Sequence, residues 1–355
     1  MSAENEKTVY ESACIRENPR SKNEIVMYGV MLPKHMPIKL AAPRWLWLTL
    51  ALLLALLLLP LAAPLFYIYI ISVIFVTALL AMSLNLVLGY GGVYQFHHAV
   101  FYGVGAYTAT LLITELAMPA WVAFAAGPVV AAFTGLLIGW FCVRLTKLYF
   151  GMLQIALGSL VWVIAYRWYD VTGGDNGIHD IPMPEFLMSF QGAYYFILIV
   201  IVVCVALMYL ILKSPFGATL QAIRDNPQRC EAIGVNVQQH QLIAIVIAAF
   251  FGGVAGVLFV ALERSVFPGL MFWVLSLEIL VMCLLGGWFT FAGPILGAAI
   301  VVALRTVASR YTDYWTTVLG IMLILLIFFL PEGVMGWARE RFKPRAPKAG
   351  QGGAS

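Results

Sequence analysis

The sequence predicts an all-α polytopic membrane protein with about ten transmembrane helices and both termini in the cytoplasm. Of its 355 residues, 62% are apolar or aromatic and only 11% are charged, against about 25% charged in a typical soluble domain. The mean hydropathy is +0.92, and apolar runs recur along most of the chain with Lys and Arg gathered between them. Such a chain cannot cover itself with polar surface, which argues against a soluble enzyme, a nucleic-acid-binding protein or a disordered protein.

The apolar runs have the length that a membrane helix requires. A helix crosses a hydrocarbon core of about 30 Å at about 1.5 Å per residue, so it needs about 20 mostly apolar residues. Segments of this kind lie at 45–63, 65–88, 100–117, 120–142, 148–166, 192–212, 242–262, 272–287, 294–311 and 315–331. The eighth and ninth are short and carry Gly286, Gly287 and Gly293, so we expect bent or broken helices there. The first run follows a polar tail longer than a signal-peptide n-region and is expected to stay as an anchor.

The distribution of Lys and Arg predicts the orientation of these spans. With ten crossings both tails lie on one side, and that side collects seventeen of the 21 Lys and Arg residues, against three in the opposite loops. By the positive-inside rule both termini are therefore cytoplasmic. The predicted organisation is a cytoplasmic polar tail at 1–44, a transmembrane domain at 45–338 and a cytoplasmic tail at 339–355. The last tail is rich in Gly, Pro, Ala and Lys, and we expect it to be disordered.

Two connections between spans are long enough to have structure of their own. The outer connection, 167–191, contains the turn-rich run Thr172–Gly177, which cannot continue a helix. The inner connection, 213–241, has a helical pattern in two parts, with Asn226-Pro227 as the break and the start of the second part. Gly234 marks the end of that second helix. The sequence therefore predicts a short helix pair on the cytoplasmic face.

The chain carries no catalytic constellation. It has no Gly-x-x-x-x-Gly-Lys-Ser/Thr phosphate loop, because Gly is never followed by Lys, so any ATP that drives the protein must be bound and hydrolysed by another subunit. His97 and His98 are adjacent and the other histidines lie in distant segments, which argues against a metal site. We expect no enzyme activity, no cofactor and no metal in this chain, and we interpret the two histidines as structural or gating residues.

Glu278 lies inside the apolar run 275–285, where an ionised carboxylate is costly unless it is paired or faces water. We therefore predict that it faces the protein interior. Two interpretations remain open: a residue of a translocation path or gate, and an internal hydrogen bond that holds neighbouring helices together. Arg305, inside the ninth span, is a candidate partner.

Small residues at helical spacing predict close helix packing, because two glycines four positions apart let the backbones of neighbouring membrane helices approach. Such pairs are Gly135 with Gly139, Gly252 with Gly256 and Gly293 with Gly297. The glycine pairs at 91–92 and 286–287 follow the second and eighth spans, which hints at an internal repeat that the surrounding residues do not establish.

Four stretches, in this order and spacing, resemble the permeases of bacterial branched-chain amino acid ABC importers, of the LivM-like more than the LivH-like type. They are Ser83–Tyr90 continuing to Phe101–Tyr107, Thr172–Ile178, Ala222–Val235, and Gly286–Ala298. The resemblance covers roughly residues 65–338. It implies a multi-pass subunit of the bacterial inner membrane that binds no ATP itself. The implied partners are a second related permease, two cytoplasmic ATPase subunits and a periplasmic solute-binding protein, with no nucleic acid.

In that family the inner loop carries a coupling helix that docks on the ATPase. The resemblance assigns this role to the loop 213–241, and within it to Asn226, Arg229, Glu231, Ala232 and Gly234.

The chain also departs from the family pattern. Gln95-Phe96-His97-His98 stands where a Ser-x-Gly-His run is usual, and Gln154 stands where a threonine is usual. Bulkier polar side chains at these positions change which solute can pass. A permease of a urea or amide importer is therefore an alternative to an amino acid permease. We take Gln95, His97, His98, Gln154 and Glu278 as candidates for a translocation path or gate. A stand-alone secondary transporter or channel is the competing class, and a membrane-embedded enzyme is third.

Overall fold

The computed structural model describes residues 43–145, 147–311, 314, 317, 320, 321 and 333–336. Within these residues the chain is helical apart from loops, short 3-10 turns, one π-helical turn and a single antiparallel bridge between Ile178 and Val266. The all-α prediction is therefore confirmed for this part of the chain. The predicted tails and most of the predicted tenth span, 315–331, lie outside the described residues.

Thirteen α-helices follow one another through the described part of the chain. They are α1 (Pro43–Ala62), α2 (Leu65–Asn85), α3 (Ala99–Thr114), α4 (Ala120–Cys142), α5 (Lys147–Arg167), α6 (Tyr169–Thr172), α7 (Glu185–Met188), α8 (Phe190–Lys213), α9 (Pro215–Asp225), α10 (Pro227–Ala232), α11 (Val237–Glu263), α12 (Trp273–Gly286) and α13 (Gly293–Ala308). A π-helical turn, Leu86–Tyr90, extends α2.

The chain divides into one unit that ends at Leu54 and another that begins at Ala55. All the packing described below lies in the second unit.

The apolar helices coincide with the predicted spans wherever the structure describes them. In the described residues, five are long and apolar enough to cross a membrane: Leu65–Tyr90, Ala120–Cys142, Tyr149–Arg167, Phe190–Lys213 and Val237–Glu263. Three shorter apolar helices, α3, α12 and α13, correspond to the third, eighth and ninth predicted spans. The chain is thus a multi-pass helical membrane protein. The number of ten spans and the cytoplasmic termini stay predictions.

Local sequence signals account for several helix boundaries. The side chain of Ser189 accepts a hydrogen bond from the backbone N–H of Gly192 at 3.0 Å and caps α8. Asn236 caps α11 by accepting from the N–H of Gln239 at 3.0 Å, so this helix starts earlier than the predicted 242–262. Between α12 and α13 the backbone breaks at Gly287, whose φ is +107°. The glycines of the eighth and ninth spans therefore lie at the connection between two continuous helices, and a bend or break within either span stays a prediction.

The core of the second unit forms where α3, α4 and α11 pack on one another through small residues. A Cβ added at Gly105 would lie 2.5 Å from the carbonyl oxygen of Gly253, and one at Gly135 would lie 2.4 Å from the Cβ of Ala249. At Gly256 it would lie 2.0 Å from a backbone oxygen of α3. Only glycine fits these contacts. The predicted small-residue packing is confirmed, and in lipid it stabilises the bundle through dispersion contacts between backbones.

Candidate functional site

An interruption in the helical path forms the centre of the candidate site. After α2 the chain runs through the π-helical turn, then without regular structure to His98, and α3 begins at Ala99. The side chains of Gln95, His97 and His98 in this segment are buried. Irregular backbone is tolerated inside a membrane protein only where protein or a cavity surrounds it, and here the surrounding protein provides that environment. We call residues 86–98 the interrupted segment.

His98 is fully buried and is held through both ring nitrogens. Its Nδ1 lies 2.7 Å from Gln95 Oε1, and its Nε2 lies 2.7 Å from the hydroxyl of Ser83, which also donates to the carbonyl of Leu80 at 2.7 Å. These two contacts hold the imidazole ring in one orientation. The contacts connect the interrupted segment to α2, the helix that precedes it. The sequence did not single out Ser83 as a partner, because nothing local links positions fifteen residues apart.

Two other helices hold the same segment from different sides. Gln154 of α5 accepts the backbone N–H of Phe96 at 3.0 Å. On the same helix Gly158 faces His97, and a Cβ added there would lie 2.3 Å from the imidazole ring. From α12, the hydroxyl of Ser276 accepts the N–H of Ala99 at 2.9 Å. The structure therefore brings together four of the predicted path residues, Gln95, His97, His98 and Gln154, around one short stretch of backbone.

Several polar atoms in this region have no hydrogen-bond partner in the structure. They include Gln95 Nε2, His97 Nδ1 and Asn85 Oδ1, all buried. A buried polar group without a partner costs about 1–3 kcal/mol. Gln95 and His97 of the interrupted segment thus have hydrogen-bonding capacity that the described residues leave unused.

Glu278 lies in α12, two residues beyond Ser276, and only 8% of its surface is exposed. This burial confirms the prediction that it faces the interior. Its Oε1 lies 3.9 Å from Nη1 of Arg305 in α13, so the suggested partner is at ion-pair distance. A buried carboxylate held by an arginine of the neighbouring helix fits both interpretations of Glu278, and its role stays a prediction.

The inner connection forms the predicted helix pair, α9 and α10. Asn226 Oδ1 caps α10 by accepting the N–H of Arg229 at 3.0 Å. At the other end the N–H of Gly234 bonds the carbonyl of Glu231 at 2.9 Å, and the N–H of Val235 bonds that of Cys230 at 3.0 Å. This pair of bonds is a Schellman motif. Gly234 has a φ of +89°, which confirms that it ends the helix as predicted.

The two faces of α10 differ in burial. Cys230 packs inward against Ile223 and Val237. On the other face Arg229, Glu231 and Ala232 are exposed, and Ile233 just after the helix is 79% exposed. The predicted coupling residues therefore lie together on a short, doubly capped helix with an outward face of mixed charge and an exposed aliphatic side chain.

Arg224, the penultimate residue of α9, connects the helix pair to the interrupted segment. Its Nη1 donates to the carbonyl of Gly89 at 2.7 Å, and its guanidinium lies 5.2 Å from the ring centroid of Phe289. Gly92, with a φ of +66°, leaves room for this side chain, since a Cβ there would lie 2.8 Å from Arg224 Cγ. The sequence alone gives Arg224 no role, because its partner is 135 residues away.

The loop between α12 and α13 completes this contact. A Cβ added at Gly89 would lie 2.1 Å from the carbonyl oxygen of Trp288, and Asn85 donates to the carbonyl of Thr290 at 3.3 Å. The two breaks that follow the second and eighth spans therefore pack against each other, with Arg224 against both. Among the residues that the structure describes, no group of three or more His, Cys, Asp or Glu side chains could hold a metal ion.

Three features define the class of this protein. Its apolar helices pack through glycine, polar side chains surround the interrupted segment, and an exposed capped helix is connected to that segment. Together they are typical of a multi-pass membrane protein of the transporter class. A family model described as "Branched-chain amino acid transport system / permease component" matches residues 66–327. The chain belongs to this family, and the resemblance found in the sequence is confirmed.

Curated relatives agree with this assignment. The chain is similar to the high-affinity branched-chain amino acid transport system permease protein LivM of Salmonella typhimurium, with 27% identity over 76% of this chain and 70% of the relative. It is similar to LivM of Escherichia coli, with 28% identity over 79% and 71% of the two chains. It also matches the permease protein LivH of Escherichia coli, with 25% identity over 73% of this chain and 91% of the relative. No solved structure matches the chain.

Proposed function

We propose that this chain is a transmembrane permease subunit of an ATP-binding-cassette importer that moves amino acids, branched-chain ones in the first place, into the cytoplasm. The family and the names of the LivM and LivH relatives support the transport class. The observation that carries the mechanism is the bond from Arg224 to the carbonyl of Gly89, because it joins the exposed helix pair to the interrupted segment.

The proposed assembly supplies what this chain lacks. Two cytoplasmic ATPase subunits bind and hydrolyse ATP, a second related permease completes the membrane domain, and a periplasmic solute-binding protein delivers the solute. The chain itself lies in the bacterial inner membrane with both termini in the cytoplasm. It acts as a subunit without its own ATPase site, cofactor or metal, and it binds no nucleic acid.

In the proposed mechanism the exposed face of α10 contacts the ATPase. The face offers Arg229, Glu231 and Ile233, and the Asn226 cap together with the Schellman motif keeps the helix rigid. A rigid helix moves as a body when the attached ATPase closes on ATP. The apolar contact through Cys230 transfers this movement to α9 and the start of α11.

Arg224 then transmits the movement to the interrupted segment. Gly89 lies near the end of a helix, where carbonyls lack an intrahelical partner and a cation is favoured. When the guanidinium is displaced, this carbonyl moves with it. The polar contacts among Gln95, His98 and Ser83, which lie only a few residues away along the chain, then shift as well. We assign Gln95, His97, His98 and Gln154 to the gate of the path. Glu278, held by Arg305, belongs to the same gate through α12, which also contacts the start of α3.

Reconstitution tests the proposal directly. The purified chain alone should hydrolyse no ATP, and hydrolysis should appear only with the ATPase subunits. Single cysteines at 229, 231 and 233 should cross-link to the ATPase, whereas a cysteine at the equally exposed Asn176 in the other long connection should not. ATP turnover by the isolated chain, with contaminants excluded by mass spectrometry, would count against the subunit assignment. A cross-link from 176 but none from 229–233 would remove α10 from the coupling role.

The same proteoliposomes decide the solute. Uptake of labelled leucine that depends on ATP and on the binding protein is the expected result. Uptake of urea or an amide in place of leucine would assign the chain to the alternative importer class. Solute flux with no ATPase present would instead favour a stand-alone transporter or channel.

A further inference from the structure

A cavity of about 810 Å³ lies at the end of the bundle where α2 and α8 begin and α11 ends. It is separate from the interrupted segment and shares no residue with it. Its lining combines apolar and polar side chains. The apolar side chains are Leu65, Phe66, Met188, Phe190 and Leu262, and the polar ones are Tyr69, His179, Asp180, Glu263, Arg264 and Ser265.

The lining includes two consecutive residues of opposite charge, Glu263 and Arg264. The phenol of Tyr69 donates to Glu263 Oε1 at 2.5 Å, which anchors the carboxylate. Arg264 uses one N–H on the carbonyl of Met188, another residue that lines the cavity. An anion and a cation are therefore both held in place within one cavity, each by a hydrogen bond to a residue that also lines it.

The backbone at this place is also unusual. Arg264 and Asp180 have φ values of +51° and +55°, and they are two of only three described non-glycine residues with positive φ. Such a conformation costs about 1–2 kcal/mol per residue and persists only where the surroundings enforce it. Because Arg264 ends α11, the carboxylate of Glu263 also lies at the negative end of a 27-residue helix, where a positive charge is favoured.

We propose that this cavity binds an α-amino acid with an apolar side chain before it enters the path. The ammonium group would bind at Glu263 and the end of α11, the carboxylate would bind Arg264, and the side chain would lie on the wall formed by Leu65, Phe66 and Phe190. This inference rests on the proposed transport function and adds to it a binding site and the chemical class of its ligand. A solute with only one of the two charges would make only one of these two charged contacts.

The test uses the purified complex with its ATPase subunits and without the solute-binding protein, in lipid nanodiscs. Binding is measured for L-leucine, for L-leucinamide, which lacks the carboxylate, and for 4-methylpentanoate, which lacks the ammonium group. We expect leucine to bind best. Glu263→Gln and Arg264→Gln should each weaken leucine binding about tenfold or more, the loss expected for one charge-assisted hydrogen bond. Glu263→Gln should leave 4-methylpentanoate binding unchanged, and Arg264→Gln should leave leucinamide binding unchanged.

Matched controls lie on the neighbouring connection. Glu185→Gln and Arg167→Gln make the same chemical changes at exposed positions that do not line the cavity, and they should leave leucine binding as it is. Arg264→Lys keeps the positive charge and should retain most of the leucine binding. It therefore separates a binding defect from a folding defect, which a thermal melt of each variant monitors.

The outcomes separate this inference from the proposed function. No saturable leucine binding to the wild-type complex, or equal binding by the wild type and both cavity variants, would overturn the site while ATP-driven leucine uptake could still be normal. Failure of the wild type to take up any amino acid with ATP and its binding protein would overturn the proposed function instead, and the binding data would show whether the cavity still selects a zwitterion.

Discussion

Replacing Arg224 with alanine should uncouple ATP hydrolysis from solute movement. The change removes the hydrogen bond of 2.7 Å to the carbonyl of Gly89 and the stacking on Phe289 at 5.2 Å. A hydrogen bond with a charged donor contributes about 1.5–3 kcal/mol, and an exposed cation–π contact about 0.5–1 kcal/mol. The ion pair with Asp225 adds little, because the side chain of Asp225 is 69% exposed.

With 25% of the Arg224 side chain exposed, the lower end of these ranges applies, and the link contributes about 2 kcal/mol. At about 1.4 kcal/mol per tenfold change, its loss would shift the equilibrium between linked and unlinked states roughly 30-fold. This substitution leaves unchanged the exposed face of α10 that is proposed to contact the ATPase. We therefore expect ATP hydrolysis to continue while leucine uptake per ATP hydrolysed falls by up to roughly 30-fold.

The assay measures both rates in the same proteoliposomes, with the binding protein present. Arg224→Lys should recover part of the coupling, because an ammonium group can donate to Gly89 but cannot stack as a guanidinium does. Arg144→Ala is the matched control. Arg144 is an exposed arginine that stacks on Trp140 at 4.6 Å; Trp140 lies in the last turn of α4 and Arg144 just after it, so this contact joins no other helix. A normal uptake-to-ATP ratio in a folded Arg224→Ala complex, or the same loss in Arg144→Ala, would refute the role of this link.

Four further substitutions or fusions test other parts of the structure. Gly234→Val should lower uptake but not membrane insertion, because a residue with a side chain pays about 1–2 kcal/mol for the left-handed backbone at a φ of +89°. The cost is one of backbone conformation, since nothing lies within 4 Å of a Cβ added there. Gly234→Asn should lower uptake less, and equal uptake by both variants would contradict this. Gly105→Val should lower the thermal midpoint in detergent, since overpacking costs about 1–3 kcal/mol and its Cβ would lie 2.5 Å from a backbone oxygen of α11; an unchanged midpoint would argue against the packing of α3 on α11. Glu278→Gln should fold better than Glu278→Leu, as judged by monodisperse yield, because the amide can still hydrogen-bond; the reverse order would point to a purely apolar environment. Reporter fusions at Gly350 and within Gly173–Gly177 should report opposite faces of the membrane, and the same face for both would break the ten-span topology.

The sequence alone was sufficient for features that depend on neighbouring residues. Apolar runs of about 20 residues located the spans because hydrocarbon thickness fixes helix length. Asn226-Pro227 and Gly234 delimited α10 because capping side chains and positive φ act within a few residues. Glu278 was placed in the interior because lipid makes an exposed carboxylate costly at any position in a span.

Residue chemistry also singled out the candidate path residues, but it did not show how they are connected. Gln95 and His97 departed from the family pattern next to His98, which matches it, and Gln154 departed from it far away in the chain. Their meeting around one stretch of backbone could not be predicted, since α5 reaches Phe96 across 58 residues.

Tertiary packing alone decided the contacts on which the proposed function depends. Arg224 reaches Gly89 across 135 residues, and Tyr69 reaches Glu263 across 194. No periodicity or local motif encodes such a pair, because each side chain is compatible with many partners until glycine contacts between α3, α4 and α11 fix the distances between helices. Helix position follows from hydrophobicity along the chain, whereas the pairing of polar groups follows from how closely the helix backbones can approach one another.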